Sequence, residues 1–228
     1  MEHPEHPEHP APVIPVTPVE PVEPIATCRD VLSIDVGRKN LGLCVVQPGD
    51  DPTRDRIKHW AVIACEPSPA GIRDALAPLD WALQANEVVI ERQPPRNATM
   101  SRLQHYLEMY FAMHAKDVVV QDAKHKLAFA ASTPWWPAQP LDNWTYHTRK
   151  KVSVTTAQGF VNATTQDPAV VAGFLAAKKK DDYADSLLQC QAYIARRRGM
   201  ADNPTPPATT TKAPKTSKTS AKRRKPAL

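Results

Sequence analysis

Four carboxylates, far apart in the chain, have the residue types and settings to hold metal ions. Asp35 closes the apolar run V-L-S-I-D and stands two residues before Gly37, while Glu91 closes E-V-V-I-E. Asp182 and Asp185 lie in K-K-K-D-D-Y-A-D-S-L-L-Q, three residues apart. On a helix that spacing puts both on one face. Carboxylate oxygens are the hard donors that Mg²⁺ prefers, and Mg²⁺ keeps several waters, so a few carboxylates plus a substrate phosphate complete its shell. Two such ions can activate an attacking water and stabilise the oxygen that leaves in an in-line displacement. The chemistry this implies is hydrolysis of a nucleic-acid backbone. The helix dipole accounts for acidic residues in a first turn, which covers Asp181 well and Asp185 poorly.

The elements that must position these residues follow from periodicity. Val31–Val36 and Leu41–Val46 read as two strands of a hairpin, and Arg56–Ala64 as a third strand. A helix is predicted over Gly71–Ala85, with Ile72, Leu76, Leu79 and Leu83 on one stripe. Val88–Glu91 is a short buried strand, and Arg92 points away from Glu91 on it. After the loop Q-P-P-R-N, with Asn97 or Thr99 as cap, a helix runs to about His114, and Asp117–Gln121 is a fifth strand. From Lys124 to Arg149 the pattern fades, and a helix is predicted over Arg149–Thr164. A last helix, Asp181–Arg198, carries the acidic pair at its head and Arg196–Arg198 at its C-terminal end, where positive charge complements the dipole. The order β-β-β-α-β-α-β describes an α/β fold: an antiparallel three-strand meander continued by helix-linked parallel strands.

Composition sets the boundaries. The chain has 228 residues and 42% hydrophobic content, enough for one domain with a real core, but its 24 Pro against 7 Gly crowd towards the ends. Residues 1–28, which begin with E-H-P three times over, read as a Pro-rich disordered arm, because Pro at every second or third position prevents helix and central strand alike. Residues 200–228 read as a basic disordered tail with K-R-R-K near its end, of nuclear-localisation or nucleic-acid-binding type. Residues 29–199 are the folded domain. A net charge of +5, concentrated in that tail, suits a polyanionic partner. Cys28, Cys44, Cys65 and Cys190 form no Cys-x-x-Cys pair, and the last three sit in apolar runs as buried thiols. With no apolar run of about 20 residues and no signal-peptide pattern, an intracellular, reducing location is expected and a membrane is not.

S-I-D-V-G-R-K-N-L-G, V-V-I-E-R-Q and K-K-K-D-D-Y-A-D-S-L-L together resemble the RuvC-type Holliday junction resolvases, and among them the poxvirus-like branch of large DNA viruses. The resemblance covers about residues 30–198, and D-D-x-A-D-S is its most specific motif. It implies a ribonuclease H-like mixed sheet flanked by helices. Asp35 would be the first-strand metal ligand, Glu91 the fourth-strand ligand, and Asp182 and Asp185 the pair on the last helix, with Asp181 outside the set. A basic residue after the fifth strand is implied near the scissile phosphate; Lys124 is assigned to it, with Lys126 close behind. The family's mode of action implies Mg²⁺, as two ions that Mn²⁺ can replace, and paired nicks in a four-way DNA junction that leave 5′-phosphates. It also implies a homodimer, for which the Leu/Tyr/Met/Phe-rich helix 98–114 offers either a dimer surface or ordinary core, and a setting in the nucleus or a viral replication compartment of a host cell.

The stretch 134–144, with Trp135, Trp136 and Trp144, has no counterpart in that pattern. Its tryptophans are candidates either for stacking on unpaired bases at a branch point or for burial. Two other functions share the carboxylates or the charge: a nuclease on RNA–DNA hybrids, flaps or other branched DNA, and a non-catalytic nucleic-acid-binding protein. An actin-like ATPase, which also opens on an Asp-x-Gly hairpin, is excluded because the few glycines leave no second phosphate loop.

Overall fold

The computed structural model describes residues 29–135 and 144–199. The arm 1–28, the tail 200–228 and Trp136 lie outside the described residues.

Strand β1 (Val31–Val36) is buried along its whole length, because both of its faces are covered. It pairs antiparallel with β2 (Asn40–Gln47), in a register that sets Asp35 opposite Gly42. β2 pairs antiparallel with β3 (Arg56–Ala64). On its other side β1 runs parallel to β4 (Glu87–Glu91), which runs parallel to β5 (Asp117–Gln121). The sheet order is β3-β2-β1-β4-β5, the expected meander extended by parallel strands.

The two-residue period of the strands divides the core. Leu32, Ile34, Val36, Leu41, Leu43, Val88 and Ile90 pack towards α1 (Pro69–Leu76) and α2 (Ala98–Met113). Val31, Cys44, Val46 and Val89 face the opposite side, which is covered by α4 (Tyr146–Ala163), α5 (Pro168–Ala176) and α6 (Asp181–Arg197), with α3 (Ala123–Ser132) beside them. Asp35 and Glu91 alternate with Ile34 and Ile90, so both point to the α6 side. α6 is buried on nearly every face from Ala184 to Ile194. Its Gln189 bridges β1 and β4 by donating from Nε2 to the carbonyls of Ile34 and Val89, at 3.2 and 3.0 Å.

Two expectations change. The helix expected over Gly71–Ala85 ends at Leu76, because Pro78 lacks an amide hydrogen and disfavours helical backbone before it; only a short 3-10 turn, Asp80–Leu83, follows. The helix expected from Arg149 begins at Tyr146, capped by Thr145, whose hydroxyl accepts from the Thr148 amide. Of the two readings open for the tryptophans, burial holds for Trp144, while Trp135 is partly buried against the same core. Trp144 is buried, and Trp135 lies edge-on to Phe160 against Gly159, where a Cβ would come within 2.3 Å of the indole. Cys44, Cys65 and Cys190 are free and buried. Among the described residues no helix is long and apolar enough to cross a membrane.

Candidate active site

Asp35, Glu91 and Asp185 come together at the C-terminal ends of β1 and β4, under the head of α6. Asp185 reaches the sheet because α6 lies directly on β2. A Cβ at Gly42 would fall 2.4 Å from the Asp182 carbonyl oxygen, so only glycine admits this approach. Trp60 fixes the same turn from β3: its indole N–H donates to the Tyr183 carbonyl at 2.9 Å, and its ring stacks on Phe174.

The point the three carboxylates share is filled by a lysine. Lys126 Nζ lies 3.3 Å from Asp35 Oδ1, 3.0 Å from Glu91 Oε1 and 3.7 Å from Asp185 Oδ2. A second ammonium, Lys150 Nζ on α4, is 2.7 Å from Asp185 Oδ2 and 3.1 Å from Asp181 Oδ2. A third, Lys179, pairs with Asp182 at 3.1 Å and with Asp181 at 3.5 Å. Three lysines thus interleave with five carboxylates. Among the described residues no three His, Cys, Asp or Glu side chains are disposed to hold a metal ion as they stand. The donor set nevertheless fits a hard cation: carboxylate oxygens converge on a point that already holds a positive charge.

The electrostatics follow from burial and from these pairs. Burial pushes the Asp35 carboxyl well above the ordinary carboxylate range; Lys126 opposes the rise, and Glu91 and Asp185 add to it. Asp185 is equally sheltered, yet Lys126, Lys150 and a hydrogen bond from Ser153 outweigh burial and hold its pKa low. Burial favours the neutral amine for Lys126, but Asp35, Asp185 and Glu91 prevail and keep it firmly protonated. Lys150 behaves likewise beside Asp185 and Asp181.

The four sequence-predicted carboxylates are therefore not equivalent in this arrangement. Asp35, Glu91 and Asp185 meet at one point, while the Asp182 side chain turns to Lys179 at the rim. Asp181 shares Lys150 with Asp185, four residues on and on the same helix face. Lys124 does not reach the cluster. It is exposed and 3.8 Å from Asp122, and the lysine after β5 that does reach the carboxylates is Lys126, two positions on along α3. Lys150 had no signal of its own in the sequence beyond its place in the R-K-K cluster, because its partners are 31 and 35 residues away.

The sequence model of the poxvirus A22 protein family matches residues 30–197. The chain belongs to this family. No curated protein matches the sequence. Among solved structures, the yeast mitochondrial Holliday junction resolvase Ydc2 is similar at 17% identity over 75% of this chain and 80% of its own, with a TM-score of 0.52. The fowlpox virus resolvase, solved with its substrate Holliday junction DNA, is similar at 17% identity over 74% of this chain and 98% of its own, with a TM-score of 0.51. These likenesses show the fold, and the A22-family chain has the ribonuclease H-like architecture that the resemblance implied.

Proposed function

We propose that the protein is a metal-dependent endonuclease that resolves four-way DNA junctions by paired, symmetric nicks. The observation that carries this reading is the meeting of Asp35, Glu91 and Asp185 on a ribonuclease H-like sheet in a chain of the A22 family. Both solved structures named above are of junction resolvases, one of them bound to a junction.

The ligands to divalent cations are Asp35, Glu91 and Asp185, with Asp182 at the rim; Mg²⁺ is the expected ion, as a pair, and Mn²⁺ an effective substitute. Bound there, such ions supply an activated water and charge stabilisation for the leaving oxygen. The protein's own groups do the rest. Gln189 and the packing of α6 keep bulk water from below the carboxylates. Lys150 and Ser153 fix the orientation of Asp185. Lys150 and Lys179 offset part of the carboxylate charge that a phosphodiester meets at the rim. Attack of water on phosphorus with rupture of the P–O3′ bond gives a 3′-hydroxyl and a 5′-phosphate, ends that a ligase can join.

A junction has two-fold symmetry, so two copies of one site in a homodimer match two opposed cuts. The reading places the protein in the nucleus or a viral replication compartment, where such DNA occurs. The test is a panel of end-labelled junction, RNA–DNA hybrid, flap and duplex substrates in Mg²⁺. Paired nicks at symmetric positions of the junction are expected. Cleavage of the hybrid or flap with the junction left intact would overturn the proposal.

A further inference from the structure

We infer that Lys126 is a resident occupant of the cation site, which holds Asp35, Glu91 and Asp185 together in the metal-free protein and withdraws when a divalent cation enters. The inference rests on the metal-site reading of those carboxylates and concerns what this chain does before the ion arrives.

The geometry carries it. The Lys126 ammonium touches an oxygen of all three carboxylates at 3.0–3.7 Å, and its side chain is only 9% exposed. A magnesium ion draws its oxygens in to about 2.0–2.1 Å. One point cannot hold both cations, and the carboxylates as they stand are spaced for the ammonium, not for a metal. Nothing local accounts for a lysine there. Lys126 lies in the first turns of α3, where the helix dipole disfavours positive charge, so the three carboxylates are what hold it. Without Lys126, Asp185 would keep Lys150, but Asp35 and Glu91 would lie buried against each other's charge.

The structure also separates the residue that exchanges from the residue that stays. Lys150 binds Asp185 from α4 at 2.7 Å and is shared with Asp181, so Asp185 keeps its orientation after Lys126 leaves. Lys126 reaches the site on a flexible four-carbon stem whose head can swing without moving the helix. The side chains of Asp35 and Glu91, 12% and 14% exposed, mark the side from which a hydrated ion enters.

The experiment labels lysine amines on the full chain with a small acylating reagent, in EDTA or in saturating Mg²⁺ without DNA, and reads each site by mass spectrometry. Lys126 is expected to be protected in EDTA and modified in Mg²⁺, while exposed Lys124 is modified equally in both. Calorimetry provides the second readout: K126M should bind Mg²⁺ at least about tenfold more tightly than the natural chain, because a positive charge at contact distance has been removed. If the natural chain binds Mg²⁺ and Lys126 stays protected at saturation, the exchange is wrong and the metal site stands. If neither protein binds Mg²⁺ or Mn²⁺, the metal-site reading falls and the exchange with it. The labelling result decides the matter even where K126M does not fold.

Discussion

Asp182 and Gly42 are in contact through backbone: a Cβ on Gly42 would stand 2.4 Å from the Asp182 carbonyl oxygen and 3.4 Å from Asp35 Cβ. Gly42 is also the cross-strand partner of Asp35. One glycine thus sets the distance between the strand that carries the first carboxylate and the helix that carries the last.

Gly42→Ala should therefore act on the site from beneath it. The clash is with backbone and no side-chain rotation relieves it, so the head of α6 must lift. A stability loss of about 1–3 kcal/mol is expected, as for other over-packed core positions. A displacement near 1 Å at reacting groups can lower the rate about 10²-fold. Thermal melts and single-turnover cleavage below the melting temperature would check both; natural rate and natural Tm together would show that α6 needs no close approach.

At Asp35 stability and function pull in opposite directions. Burial raises its folded pKa well above 3.8, with Lys126 opposing. A carboxyl with a raised folded pKa stabilises the fold fully below its unfolded value, and that contribution is lost as pH rises from there through the folded value. The loss accumulates as pH rises from about 4 towards neutrality, so Asp35→Asn should raise the Tm of the metal-free protein there by about 2–4 °C for each kcal/mol recovered. The gain should shrink as pH falls to about 4, and cleavage should be absent throughout. Differential scanning fluorimetry in EDTA across pH, beside a junction-cutting assay, measures this. A destabilised Asp35→Asn at neutral pH would mean that Asp35 is held chiefly by its pair with Lys126.

Strand order and sheet topology were legible because β1, β2 and β4 are buried on both faces, which makes them continuous apolar runs bounded by turns. Asp35 and Glu91 were legible for the same reason, since each ends such a run. What escaped depends on tertiary contact. α5, P-A-V-V-A-G-F-L-A, is apolar on all sides and shows no 3.6-residue stripe, although Asp167 and Pro168 do mark its start. α3 carries its basic residues at both Lys124 and Lys126, and only the way the helix leaves β5 decides which of them faces the carboxylates. The division of Asp181, Asp182 and Asp185 among lysines of α4, α3 and the 177–180 turn cannot be read from a spacing along one helix.

For the proposed homodimer, α2 supplies the testable face. Leu103, Leu107 and Phe111 are fully buried against the sheet, so that stripe belongs to the core. The outer face keeps Met109 and Met113, 62% and 79% exposed, with Tyr106 and Tyr110 partly covered between. Met109→Glu with Met113→Glu should leave the fold intact, since exposed positions tolerate charge, and should turn a dimer into a monomer in light scattering after size exclusion. Paired nicking would then become single nicking. An unchanged mass would move the dimer interface away from α2.

The C-terminal end of α6 holds a buried ion pair outside the site. The Asp55 side chain is fully buried; it accepts from the Gly49 amide at 2.9 Å and from Arg198 Nη1 at 3.0 Å, and Arg198 Nη2 also donates to the Gly49 carbonyl at 2.8 Å. Removing one partner of a buried pair leaves the other charge uncompensated, which costs about 3–5 kcal/mol, whereas replacing both with apolar residues is often near neutral. Arg198→Ala should accordingly destabilise the domain by about that amount in urea melts, and Asp55→Leu with Arg198→Met should recover most of it. Arg198 lies 13 residues beyond Asp185, about 20 Å along the helix axis at 1.5 Å per residue. Cleavage measured well below the melting temperature should thus be unchanged in both variants. A cleavage defect in the double variant with its stability restored would show that α6 transmits displacement along its whole length to the carboxylates at its head.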